Sequence, residues 1–246
     1  MFSSGINWFK FAAPQRFYAL TGTLIPYCVA IAVIATIIGL TIGLLIAPSD
    51  HQQGESYRII FIHVPAAWMS MIIYLAMAFW AAMGLIFNAR LASMFALALA
   101  PTGALMTFIA LWTGSLWGKP TWGTYWVWDA RLTSELILLF LYLGFLSLHA
   151  AIEDTRKADR SAAVLAIVGV VNIPIIYFSV KWWNTLHQGA SVSLTKAPTM
   201  ATQMLTGMLI MTVAFWAYSF ALSFYRCRTL ILERERHTAW AQEAVK

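Results

Sequence analysis

Residues 20–46 read LTGTLIPYCVAIAVIATIIGLTIGLLI, twenty-seven positions without a charged side chain. Crossing the hydrocarbon of a bilayer takes about 20 apolar residues in a helix, so this stretch is read as a membrane span. It is longer than the roughly 7–15 apolar residues of a cleaved signal, and the span is expected to stay. Five further runs of similar character follow: His63–Phe87, Leu91–Leu116, Leu132–Ile152, Ala162–Val180 and Thr202–Tyr225. The expected fold class is therefore all-α, a polytopic integral membrane protein of six helices. Residues 1–246 form one membrane domain without internal repeats or a separate soluble unit.

Composition agrees. Hydrophobic residues make up 61% of the chain, charged residues 11%, and the mean hydropathy is +0.72. A soluble domain is about 45–50% apolar and about 25% charged. The net charge of +6 comes from residues in short segments between spans. It reads as a topology signal and not as a nucleic-acid surface. The side holding the N-terminus, the second and fourth loops and the tail carries eleven Lys and Arg, Lys10 and Lys246 among them. The other side carries five: Arg58, Lys119, Arg131, Lys181 and Lys196. Positive-inside bias then places both termini in the cytoplasm. Cys28 and Cys227 form no Cys-x-x-Cys pair and no Cys-x-x-Cys-His attachment site, so covalent haem and a structural disulfide are not expected.

The outward loops carry the aromatics. The third reads WGKPTWGTYWVWDAR over residues 117–131, and Trp117, Trp122, Tyr125, Trp126 and Trp128 fall within it. It is expected to lie along the membrane surface between the third and fourth helices, with Gly118 and Gly123 allowing tight turns. Two readings stand side by side. Trp and Tyr collect at membrane interfaces as anchors. The same residues would also make a flat apolar platform for a flat apolar ligand.

Two histidines share that outward side. His63 sits in IIFIHVP, with Pro65 near the start of its helix, and His187 sits in WWNTLHQG. Imidazole is a common haem-iron ligand. His51 lies in a polar turn, and His149 and His237 fall on the cytoplasmic side. Asp129, Arg131 and Glu135 cluster where the loop enters the fourth helix. They read either as an interfacial charge network at a helix N-terminus or, for Arg131, as a partner for a propionate carboxylate. Arg58 is a weaker candidate for that task. Asn172 and Pro174 interrupt the fifth span, as helix packing or a ligand path would require.

The residues 117–133 closely resemble the tryptophan-rich WWD signature of haem-handling membrane proteins. The pattern W-G-x-x-W-x-W-D-x-R-L-T is matched at every fixed position from Trp122 to Thr133. The His63 and His187 segments resemble that superfamily's two flanking histidine segments. The CcmF-type and CcsA-type haem lyases are longer, with more spans. A chain of this size with six spans is similar to the CcmC family, haem exporter C. Tyr125 departs from the pattern, since an extra Trp is common there in relatives.

The resemblance implies haem b held on the periplasmic face of a bacterial inner membrane. His63 and His187 would be the axial ligands. The segment with Trp117, Trp122, Tyr125, Trp126, Trp128, Asp129 and Arg131 would cradle the ring. It implies delivery to a CcmE-like haem chaperone in cytochrome c maturation. A CcmD-like small membrane protein and CcmA/CcmB-like ABC transporter subunits would be the other partners. This chain carries no Walker-type loop of its own. A haem or solute permease subunit and a structural subunit of the same assembly are the alternative readings.

Overall fold

The computed structural model describes residues 12–187, 192 and 197–245. Lys10, Gln188, Gly189, Lys196 and Lys246 lie outside the described residues. Eight α-helices are present among them: α1 (Pro14–Thr41), α2 (Ile60–Phe87), α3 (Arg90–Trp122), α4 (Ala130–Ala151), α5 (Thr155–Gly169), α6 (Asn172–Trp182), α7 (Thr202–Arg234) and α8 (Ala239–Ala244). Six helical spans are long and apolar enough to cross a membrane, with α5 and α6 together forming the fifth. The protein is an all-α multi-pass membrane protein, as its sequence predicts. Its side chains face lipid along whole helices: Ile34, Ile37 and Leu45 of the first span are all exposed.

Hydrophobicity does not hold such helices together, because lipid is as apolar as leucine; close packing of small residues does. α2 and α3 form the central antiparallel pair, turned at Asn88, whose φ of 50° is left-handed. Their contact is built from buried alanines, among them Ala67, Ala78, Ala96, Ala100 and Ala110. α1 lies along α7, where Gly22 makes room for Arg228. The Arg228 guanidinium sits 3.5 Å from the centre of the Tyr18 ring and donates to the Tyr18 carbonyl.

Several boundaries differ from expectation for identifiable reasons. α2 starts at Ile60 behind a 3₁₀ turn over Glu55–Ile59, so His63 lies inside the helix and not at its first position. α7 continues to Arg234, well past Tyr225. Cys227 and Ile231 still pack there on Met94 and Ala98, and Arg234 pairs with Asp159 through bonds of 2.8 and 2.9 Å.

The fifth span breaks at Val170–Val171, as Asn172 and Pro174 suggest. Pro174 has no N–H to offer the preceding turn. The Asn172 amide donates to the Ser134 carbonyl at 2.9 Å. Here the break serves packing of α6 on α4.

A further difference matters for function. The segment expected to lie flat on the membrane is helical as far as Trp122, so Trp117–Trp122 are the last turns of α3 and not a surface loop. At 33 residues α3 is about 50 Å long, well beyond the roughly 30 Å of hydrocarbon. Its end therefore stands in the interface. The chain tolerates Pro120 there because other groups close the helix. Thr121 Oγ1 donates to the Trp117 carbonyl at 2.6 Å, and Gly123 N–H donates to the Lys119 carbonyl at 3.0 Å. Gly123 takes φ 80°, a left-handed stop natural to glycine.

Candidate functional site

The six crossings put both described ends of the chain at one face and gather the start of α2, the end of α3, the start of α4 and the segment after α6 at the other. His63 comes from α2. Its Nδ1 lies 3.1 Å from Thr113 Oγ1 on α3. The Thr113 hydroxyl has one proton, and it is spent on the Ile109 carbonyl at 2.6 Å. Toward His63 the hydroxyl can only accept. The ring is thus held with its proton on Nδ1 and a lone pair on Nε2. Gly114 lets the ring come this close to α3: a Cβ there would stand 2.9 Å from His63 Cε1. Ala110, one turn earlier, is buried with Ala66 and Ala67 of α2, which keeps the two helices close at this level.

His187 follows α6. Its Nδ1 faces Asp129 Oδ2 at 3.7 Å, and neither atom has a hydrogen-bond partner among the described residues. Asp129 also caps α4, its Oδ1 accepting from the Leu132 N–H at 2.8 Å. Burial and the nearby Arg131 push His187 down from the ordinary 6.5 to about 4, against a smaller opposing pull from Asp129. The ring is therefore neutral at pH 7, and its contact with Asp129 is not an ion pair. As at His63, Nδ1 is the nitrogen on the side of an oxygen acceptor, here beyond hydrogen-bond distance. Such outer partners orient histidine ligands in metal sites.

Both rings line one cavity of about 170 Å³, together with Gln53, Trp68, Trp117, Trp122 and Arg131. Each histidine has its own tryptophan. His63 meets Trp117 edge-on, with ring centres 5.6 Å apart, and His187 meets Trp122 at 4.8 Å. Arg131 reaches across to α6, donating to the Ile176 carbonyl at 2.7 Å while its side chain also faces the cavity.

The sequence-predicted site thus divides in two. His63, His187, Trp117, Trp122 and Arg131 come together around the cavity, with Asp129 behind His187. Tyr125, Trp126 and Trp128 do not line it. Trp128 is 77% exposed and Tyr125 is 54% exposed, and Trp126 packs edge-on against Trp128 at 5.4 Å. They form an outer aromatic shelf. Glu135 lies away from the interface, buried between the helices, where it accepts from Ser70 Oγ at 2.7 Å. Arg58 pairs with Glu55 and donates to the Gly43 carbonyl.

Sequence reasoning missed Thr113, Gly114 and Gln53. Gln53 Oε1 accepts from Trp117 Nε1 at 2.7 Å and fixes that indole. The spacing 113–117 on one helix face is the signal that could have tied Thr113 to Trp117.

A haem iron takes four nitrogens from its porphyrin and needs only axial donors from the protein. Two imidazoles at one aromatic-walled cavity fit that requirement. Among the described residues no three His, Cys, Asp or Glu side chains converge to hold a bare metal ion.

Fold and site together define a class: a six-span membrane protein with a paired-histidine, tryptophan-lined cavity at one face. The family model CcmC, described as Heme exporter protein C, matches residues 7–242. Heme exporter protein C of Escherichia coli (strain K12) is 47% identical over 237 residues, covering 96% of this chain and 95% of the relative. The protein of that name from Bradyrhizobium diazoefficiens is 48% identical over 223 residues, covering 91% and 84%. That of Paracoccus denitrificans is 40% identical over 235 residues, covering 95% and 97%. The chain belongs to the CcmC family.

Proposed function

We propose that this protein holds haem b between His63 and His187 and delivers it to a CcmE-like chaperone during cytochrome c maturation. The observation that carries the reading is the pair of histidines on one cavity, each with Nδ1 on the side of an oxygen acceptor. By positive-inside bias the site faces the periplasm of a bacterial inner membrane, with both termini cytoplasmic.

The residues divide the work. Thr113 holds the tautomer of His63, and Asp129 stands behind His187, 3.7 Å from its Nδ1. Trp117 and Trp122 supply apolar walls, and Arg131 supplies a cation for a propionate. When bound, haem supplies the iron and the reactive vinyl edge. A seat open to the partner would let it take the ligand. The exposed shelf of Tyr125 and Trp128 suits contact with the chaperone, since exposed aromatics are favoured in interfaces. CcmD-like and CcmA/CcmB-like subunits complete the assembly in this reading.

The test is the visible spectrum of protein purified in mild detergent, alongside His63→Ala and His187→Ala. A Soret band shifted or lost in both variants supports the reading. A band indifferent to both substitutions, or none in the wild type, refutes it. Loading of a co-expressed chaperone, lost in Trp128→Ala with haem retained, tests the delivery step.

A further inference from the structure

Beneath the main cavity lies a second chamber of about 20 Å³, faced by His63, Arg131, Glu135 and His187. A water needs about 10–15 Å³ and at least two polar partners, so one fits. Glu135 is only 6% exposed. Its Oε1 shares the Ser70 hydroxyl, 2.7 Å away, with the Ala67 carbonyl at 2.8 Å. Its Oε2 is buried without a partner among the described residues.

A carboxylate stays ionised in such a place only when it is paired; otherwise it takes a proton. Among the described residues Arg131 is the one guanidinium lining the chamber, and it stands four residues earlier on the same helix. At that spacing two side chains lie on one helix face. Its bond to the Ile176 carbonyl uses one of five N–H donors.

We propose that Glu135 is the ionised counter-charge of Arg131 beneath the two histidines, linked to it by one water in this chamber, and that the pair sets the electrostatic potential at an iron held there. Glu135 is a positioning residue: it acts through charge and touches no ligand. The inference rests on the haem reading of the site.

The test is redox titration of the haem-loaded protein. Glu135→Gln keeps the shape and removes one negative charge, so Arg131 is less compensated and the reduced iron is favoured. The expected shift is a midpoint raised by about 59 mV or more, a tenfold change in a one-electron equilibrium. Glu135→Asp keeps the charge and leaves the midpoint near the wild-type value.

An unchanged midpoint in Glu135→Gln with an intact Soret band overturns the proposal. So does an equal shift in both variants, which would mean packing and not charge. If Glu135→Gln does not fold, Ser70→Ala serves instead: it removes the donor that favours the ionised carboxylate, so negative charge is lost and the midpoint rises. An unchanged or lowered value there overturns the proposal. A wild type without a Soret band refutes the haem site itself, and this inference with it.

Discussion

Thr113→Val is the sharpest perturbation of the site, because it replaces one hydroxyl by a methyl of the same shape. Thr113 is the acceptor for His63 Nδ1–H, its own proton being spent on the Ile109 carbonyl. In the variant His63 must keep Nδ1–H without a partner or turn its ring and lose the Nε2 direction. A buried donor left unpaired costs about 1–3 kcal/mol, and ligand binding holds the ring in the orientation that incurs this cost. Since about 1.4 kcal/mol is a factor of ten, haem affinity falls roughly 5- to 150-fold. The assay is titration of purified, haem-depleted protein with haem, read at the Soret band. Thr113→Ser, which keeps the hydroxyl, binds like the wild type. Affinity in Thr113→Val within twofold of the wild type, with the same spectrum, would refute the argument that this bond fixes the ligand.

Other expected outcomes follow from the same geometry. Gly114→Ala places a methyl 2.9 Å from His63 Cε1 and displaces the ring; Soret titration shows haem affinity reduced by about tenfold or more, while the protein stays monodisperse in detergent. Asp129→Ala removes the group behind His187 and weakens haem binding by about 10–100-fold. The same substitution takes away the α4 cap, which lowers stability in thermal melts by about 0.5–2 kcal/mol. The pH dependence has a definite sign: His187 titrates at about 4 in the folded protein and at about 6.5 when unfolded. Between those values the unfolded chain binds more protons, so stability is full above about pH 6.5 and declines as pH falls toward about 4. Thermal melts of haem-free protein across that range display this slope, and His187→Asn flattens it. An equal slope in that variant would assign the effect to another group.

The sequence by itself determined the six spans and which segments share a face of the membrane. Both depend only on local composition: long uncharged runs, and the alternation of sides that each run imposes. It also supplied the two histidines and the tryptophan-rich segment, since residue types and their spacing are written there. It did not determine which aromatics share the cavity. Trp117 and Trp122 line it because α3 stays helical as far as Trp122, whereas Tyr125 and Trp128 fall beyond that stop and face outward.

Nor did sequence separation link Thr113 to His63, fifty residues away, or Glu135 to Ser70, sixty-five residues away. Those pairs exist only because small residues bring α2, α3 and α4 close enough for side chains to meet. Contacts between distant helices are decided by packing, and packing belongs to the tertiary structure.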